Sequence, residues 1–213
     1  MTKKEIPDIK WNRTMDALDG TEGTPSVTNK FVTNDDPRLP GEVTALEAAI
    51  TVATDASLTI LISRTLTGDT LATGCTIEIE AFGSVAAASG ASLTMMWKFI
   101  HGDTIATGTV LLTMDAAIST SDLDTGWYIK GIFQIQDIGA AASGSIIGNA
   151  VLLGSFATPN TTNVSKVTSA TAILTKGDQV IGLAFIWSGA AAANSLTCQN
   201  AFIKVSKRGK LSV

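Results

Sequence analysis

Few residues in this 213-residue chain have the types and spacing that chemistry requires. Glu78 and Glu80 lie two apart in the alternating run 75–82, which reads as a strand, so both carboxylates share one face. Paired carboxylates do acid/base work in glycoside hydrolysis, but that chemistry needs two groups opposed across the scissile bond. Neighbours on one strand with no aromatic sugar platform flanking them read as a solvent-facing pair. A glycan hydrolase built on them would lose activity in Glu78→Gln or Glu80→Gln.

Other constellations are weaker. Asp122-Leu123-Asp124-Thr125-Gly126 resembles the start of a calcium loop, but the closing glutamate is missing and a structural turn is the better reading. The glycine-bearing stretch 139–148 lacks the lysine and the following helix of a phosphate loop. His101 is the single histidine, which rules out a multi-histidine centre, and beside a hairpin turn it reads as a polar turn neighbour. No Cys/His spacing suggests zinc. Cys75 and Cys198 both sit in strand-like runs; a bridge is conceivable if those strands pair, and two reduced, buried thiols are the ordinary alternative. Trp97, Trp127 and Trp187 lie in three different strand-like runs flanked by Ile, Phe or Met, which favours core packing over a ligand platform. We therefore expect no enzyme, no cofactor and no resident metal.

The elements that would position these residues are almost all strands. Runs rich in β-branched and aromatic residues fall at 58–63, 75–82, 93–101, 104–114, 127–138, 145–156, 164–174, 180–188 and 195–205, separated by Gly, Ala, Ser and Asn. Gly102-Asp103 reads as a tight hairpin turn. Residues 180–188 and 195–205 read as a hairpin, central because neither of its faces is purely polar. In its second strand Leu196, Cys198, Asn200, Phe202 and Lys204 fall on one face by strict alternation. Beyond residue 41 only 44–51, Ala-rich with Thr44 and Glu47 as a capping box, competes as a helix. Eight or nine antiparallel strands over residues 41–213 predict an all-β, jelly-roll-like antiparallel β-sandwich, with a closed barrel as the alternative.

Residues 1–40 differ. They hold four of the five prolines and two breaker-rich segments, 19–25 and 34–41, with one short helix predicted at 12–18 capped by Asn12. We read them as an extended N-terminal arm without its own core. Trp11, Phe31, Pro37, Arg38 and Leu39 are then docking residues that need a partner surface.

Composition narrows the function classes. Only 16% of residues are charged while 45% are hydrophobic, against about 25% charged in ordinary domains. A surface so poor in charge is best explained by burial against copies of itself or a larger assembly. A net charge of −4 argues against nonspecific nucleic-acid binding. The basic cluster Lys204, Lys207, Arg208 and Lys210 reads as a solvated or partner-docking tail. No apolar run approaches the length needed to span a bilayer, and no apolar segment follows the first lysines, so we expect no membrane partner and synthesis in the cytoplasm.

Two stretches carry a resemblance. Phe31-Val32-Thr33-Asn34-Asp35-Asp36-Pro37-Arg38-Leu39 resembles a connector of tailed-bacteriophage fibre and head-appendage proteins. Phe185-Ile186-Trp187-Ser188, continuing through residues 194–203, resembles the last strand pair of small β-sandwich virion proteins, and Gly126-Trp127-Tyr128-Ile129-Lys130-Gly131 adds to it. The resemblance implies a trimeric, virion-exposed jelly roll docked by its arm, and it carries over no catalytic residue. A capsid decoration (cement) or short head-fibre protein is the first expectation, with the major capsid protein as partner. A receptor-binding tail fibre tip or tail adaptor is the second, with host glycan bound by loops 83–91 and 157–162.

Overall fold

A computed structural model describes residues 43–53, 56–66, 71–87, 93–118, 123–139, 144–156, 162–173, 177–189 and 194–206. The arm 1–40, its docking residues Trp11, Phe31, Pro37, Arg38 and Leu39, the helix expected at 12–18, and Lys207, Arg208 and Lys210 lie outside them. Twelve strands are described: β1 (Val43–Ala45), β2 (Ile50–Val52), β3 (Thr59–Leu66), β4 (Thr76–Ala87), β5 (Thr94–Gly102), β6 (Thr109–Ala117), β7 (Leu123–Asp137), β8 (Gly144–Gly154), β9 (Thr162–Val167), β10 (Thr171–Ile173), β11 (Gln179–Trp187) and β12 (Ser195–Ser206). No helix among the described residues is long and apolar enough to cross a membrane.

The strands form two antiparallel sheets. One has eight strands in the order β1-β12-β4-β7-β8-β10, with β2 also on β12 and β9 also on β8. The other has four, in the order β3-β11-β5-β6. Without β1, β8, β9 and β10, two four-stranded sheets remain, β2-β12-β4-β7 and β3-β11-β5-β6, which is the strand order of a jelly roll. Strands β8, β9 and β10 widen one sheet past β7. Lys166 of β9 then ties the two sheet edges together, donating to the Thr113 carbonyl of β6 at 3.0 Å and pairing with Asp115.

The core lies between the sheets. On β4, Ile77, Ile79, Ala81, Val85 and Ala87 are buried at alternate positions, as the period-two pattern dictates. Trp97 packs on Phe185 at 5.2 Å between ring centroids within one sheet, and on Trp127 at 5.6 Å across to the other. All three sequence-predicted tryptophans are core residues, Trp97, Trp127 and Trp187 being at most 3% exposed. The Trp127 indole donates to the Ser84 carbonyl at 3.2 Å, the polar tip finding a partner while the ring is buried.

Several local expectations change. Residues 180–188 and 195–205 are not a hairpin: β11 sits between β3 and β5, and β12 between β1/β2 and β4 in the opposite sheet. Jelly-roll winding, which sends β11 and β12 to different sheets, overrides the local turn. Centrality holds for both strands. On β12 the strict alternation fails: Leu196, Cys198, Ala201, Ile203 and Val205 are buried. The pairing with β4 shifts between Cys198 and Asn200, and this β-bulge reverses the facing of everything after it.

Residues 44–51 form parts of β1 and β2 against β12 rather than a helix, tertiary pairing winning over a weak propensity. The turn after Gly102 runs to Gly108, and β6 starts at Thr109 rather than Thr104. The run 164–174 is split into β9 and β10, both on β8. Residues 83–87 belong to β4, not to a loop, while 157–161 lie outside the described residues.

Candidate interaction face

The outer face of the eight-stranded sheet brings together the most chemistry-bearing side chains. Its three central rows follow from the strand registers. Phe82, Tyr128 and Leu153 stand side by side on β4, β7 and β8. The next row runs Phe202, Glu80, Lys130, Val151, and the third runs Lys204, Glu78, Ile132, Asn149, Val167. Phe82 is 44% exposed, Ile132 40% and Val167 72%. Where the sequence suggested no aromatic near the two glutamates, the registers put Phe82, Tyr128 and Phe202 around them, two of these on other strands.

Charge at the centre of this face is compensated internally. Lys130 pairs with Glu78 and, at 3.3 Å, with Glu80. Its hydrogen bond to Glu78 raises the ammonium above its ordinary value, partial burial opposes this, and Glu80 adds to the rise. Burial, then the Glu80 carboxylate, pushes the Tyr128 phenol up. Both carboxylates thus grip one lysine on the same face, and this differs from the opposed pair of a glycosidase. Beside them a shallow groove of about 380 Å³ is lined by Thr76, Ile132, Gln134, Ile147, Asn149 and Val167.

The other singled-out residues are dispersed. Cys75 and Cys198 are free and buried. Cys198 faces Gly83, eight residues along β4 from Cys75, about 27 Å of extended chain, far beyond disulfide reach. Burial pushes the Cys198 thiol up to about 11. Leu123, Asp124, Thr125 and Gly126 pair with β4 as part of β7, so the expected turn there is a strand, while Asp122 lies outside the described residues. No group of three or more His, Cys, Asp or Glu that could hold a metal occurs among the described residues. His101 stands beside the turn, at the end of β5, and is 1% exposed; burial drives its pKa down to about 4, against a smaller opposing pull from Asp103.

Comparisons with known proteins stand beside this geometry. No family model matches the chain, and no curated protein matches it in sequence. Among solved structures it is similar to the CBM2 module of the evolved Dit of Lactobacillus casei BL23 phage J-1. That match has 8% identity and a TM-score of 0.31, over 69% of this chain and 70% of that one. It is also similar to a chain of infectious bursal disease virus, Gx strain, at 13% identity and a TM-score of 0.24, over 77% of this chain and 41% of that one. Both are components of viruses.

Proposed function

We propose that this protein is a non-enzymatic structural component of a bacteriophage virion, a capsid decoration or short head-fibre protein that assembles as a trimer and docks through residues 1–40. The observation that carries the reading is the outer face of the eight-stranded sheet. Its exposed Phe82, Ile132, Leu153 and Val167 surround an ion-paired Glu78–Lys130–Glu80 group, with Lys204 opposite Glu78. Contiguous apolar surface of this kind marks an interaction site. Because the central charges already pair with each other, covering them leaves no lone ion stripped of water.

A second copy is the occupant that the charge count favours. Two glutamates and the two lysines Lys130 and Lys204 give this part of the face no net charge, so like faces or neighbouring copies meet without electrostatic excess. The low overall charge of the chain supports the same reading. Trp11, Phe31, Pro37, Arg38 and Leu39 are then the arm residues that would meet the capsid.

The test is particle binding: purified protein is added to undecorated capsids, the particles are sedimented, and bound copies are counted. Stoichiometric binding with a gain in capsid heat resistance supports decoration. A trimer that ignores capsids overturns it in favour of a tail tip or adaptor that binds host glycan, a reading supported by the exposed Phe82 and its neighbour Tyr128, which could stack on sugar rings. A host-cell binding assay then decides.

A further inference from the structure

A second site lies at one end of the sandwich, away from the interaction face. A recess of about 230 Å³ is lined by His101 on β5 and Asp103 after it, by Thr107 and Thr109 before and on β6, by Ile173 of β10, and by Gln179 at the start of β11. It opens between the two sheets, since β10 belongs to one and β5, β6 and β11 to the other.

Gln179, 2% exposed, is held rigidly. Its amide nitrogen donates to Asp103 Oδ1 at 3.0 Å and to the Asp178 carbonyl at 2.7 Å. Both partners only accept, so the nitrogen must face them and the oxygen is left over. Gln179 Oε1 is buried with no hydrogen-bond partner among the described residues, and so is His101 Nε2. Leaving a buried polar atom unpaired is costly, and the two residues that carry these atoms both line this recess. The Gln179 oxygen calls for a donor, and His101 Nε2 in its N–H tautomer calls for an acceptor, so a group that satisfies both donates to one and accepts from the other. A hydroxyl does this.

We infer that the recess binds a neutral, hydroxyl-bearing ligand, a small polyol or the terminal ring of a saccharide. One hydroxyl bridges His101 Nε2 and Gln179 Oε1, and a neighbouring hydroxyl donates to the Asp103 carboxylate. The Asp103 charge disfavours an anion, and the lining holds only two metal-type side chains, His101 and Asp103. The volume is several times the roughly 30 Å³ of one water yet below the ~300–1,000 Å³ typical of drug-sized ligands, which sets the scale at one sugar ring. The site is independent of the virion location: a capsid or a tail protein could carry it.

Because His101 is the single histidine, its imidazole gives one unambiguous pair of ¹⁵N signals, Nδ1 and Nε2. The labelled full chain is titrated separately with glycerol, D-glucose, D-galactose, L-rhamnose and N-acetyl-D-glucosamine. The expected result is a saturable shift of the His101 resonance with at least one sugar, and about a tenfold loss of affinity in Gln179→Met, the loss expected when a bound hydroxyl is left unpaired. An unmoved imidazole with every probe, or undiminished binding by Gln179→Met, overturns the proposal. If Gln179→Met does not fold, Asp103→Asn decides: it changes an exposed residue and keeps an acceptor for Gln179. Weaker binding supports the site and unchanged binding removes it.

Discussion

Gly83 on β4 lies directly opposite Cys198 on β12, at the point where β12 carries its extra residue. A Cβ placed on Gly83 would come 1.8 Å from the Thr197 carbonyl oxygen and 2.8 Å from its carbon. The bulge pushes the β12 backbone into space that only glycine leaves open.

Gly83→Ala is therefore expected to be among the most damaging single changes in the sheet. The obstacle is backbone, which cannot rotate away, so the cost should reach about 3 kcal/mol, the upper range for overpacking. Gly126→Ala is the control. The nearest atom to a Cβ there is the Gly83 oxygen at 3.7 Å, an ordinary contact, and the change should fall within about 0.5 kcal/mol of neutral. Urea midpoints of the two variants check this, and equal stabilities would mean that the bulge relaxes freely.

Lys130 supports a second prediction. Its side chain and those of Glu78 and Glu80 are partly exposed, at 30%, 26% and 21%, so each pair is worth at most about 1 kcal/mol. Lys130→Met should cost about that much by leaving two carboxylates adjacent, and the cost should shrink when Glu78→Gln is added, as a double-mutant cycle would read. The raised pKa fixes the pH dependence. The ion-pair contribution is fully present below the ordinary lysine value of 10.5 and is lost as pH rises above it. An additive cycle would show that the pairs do not couple.

The strands were legible in the sequence and their partnerships were not. Ile77, Ile79 and Ala81 alternate, so the burial of β4 follows from period two alone. The facing of Phe202 and Lys204 could not be read, because one unpaired residue near Gln199 inverts the pattern and no residue type announces it. Residues 180–188 and 195–205 are close in sequence, yet winding between sheets separates them, a global property that local turn chemistry does not encode. The same holds for the sites. His101 and Gln179 are ordinary residues 78 positions apart, and they become neighbours only once β11 is laid against β5. The apolar rows around Glu78 and Glu80 likewise draw on β12, β4, β7, β8 and β9, strands spread along the chain.

His101 makes the fold sensitive to acid. Its pKa is about 4 when folded and 6.5 in the ordinary state, so between those values the unfolded chain holds a proton that the folded chain does not. Stability is full above pH 6.5 and falls as pH drops towards 4, by about 3 kcal/mol in all. Carboxylates contribute their own acid sensitivity, so the test compares the wild type with His101→Leu. The stability gap between them should shift by about 3 kcal/mol in favour of the variant across this window. A gap independent of pH would mean that the imidazole is not held neutral and buried.

The interaction face supplies the last prediction. Phe82 and Ile132 point to water at 44% and 40% exposure, so Phe82→Lys and Ile132→Lys should each leave monomer stability within about 0.5 kcal/mol. If copies of the chain cover this face, Phe82→Lys buries an ammonium beside Tyr128 and Leu153 at a cost of several kcal/mol per subunit contact, and Ile132→Lys, opposite Glu78, replaces apolar contact with a desolvated charge. The expected outcome in sedimentation equilibrium is a wild-type trimer and variants that dissociate with unchanged circular dichroism. Variants that remain trimeric would move the subunit contact to another surface and leave this face for the capsid. A wild-type protein that is monomeric at every concentration would instead make the capsid alone the partner that covers the apolar rows, and the same two variants should then lose particle binding.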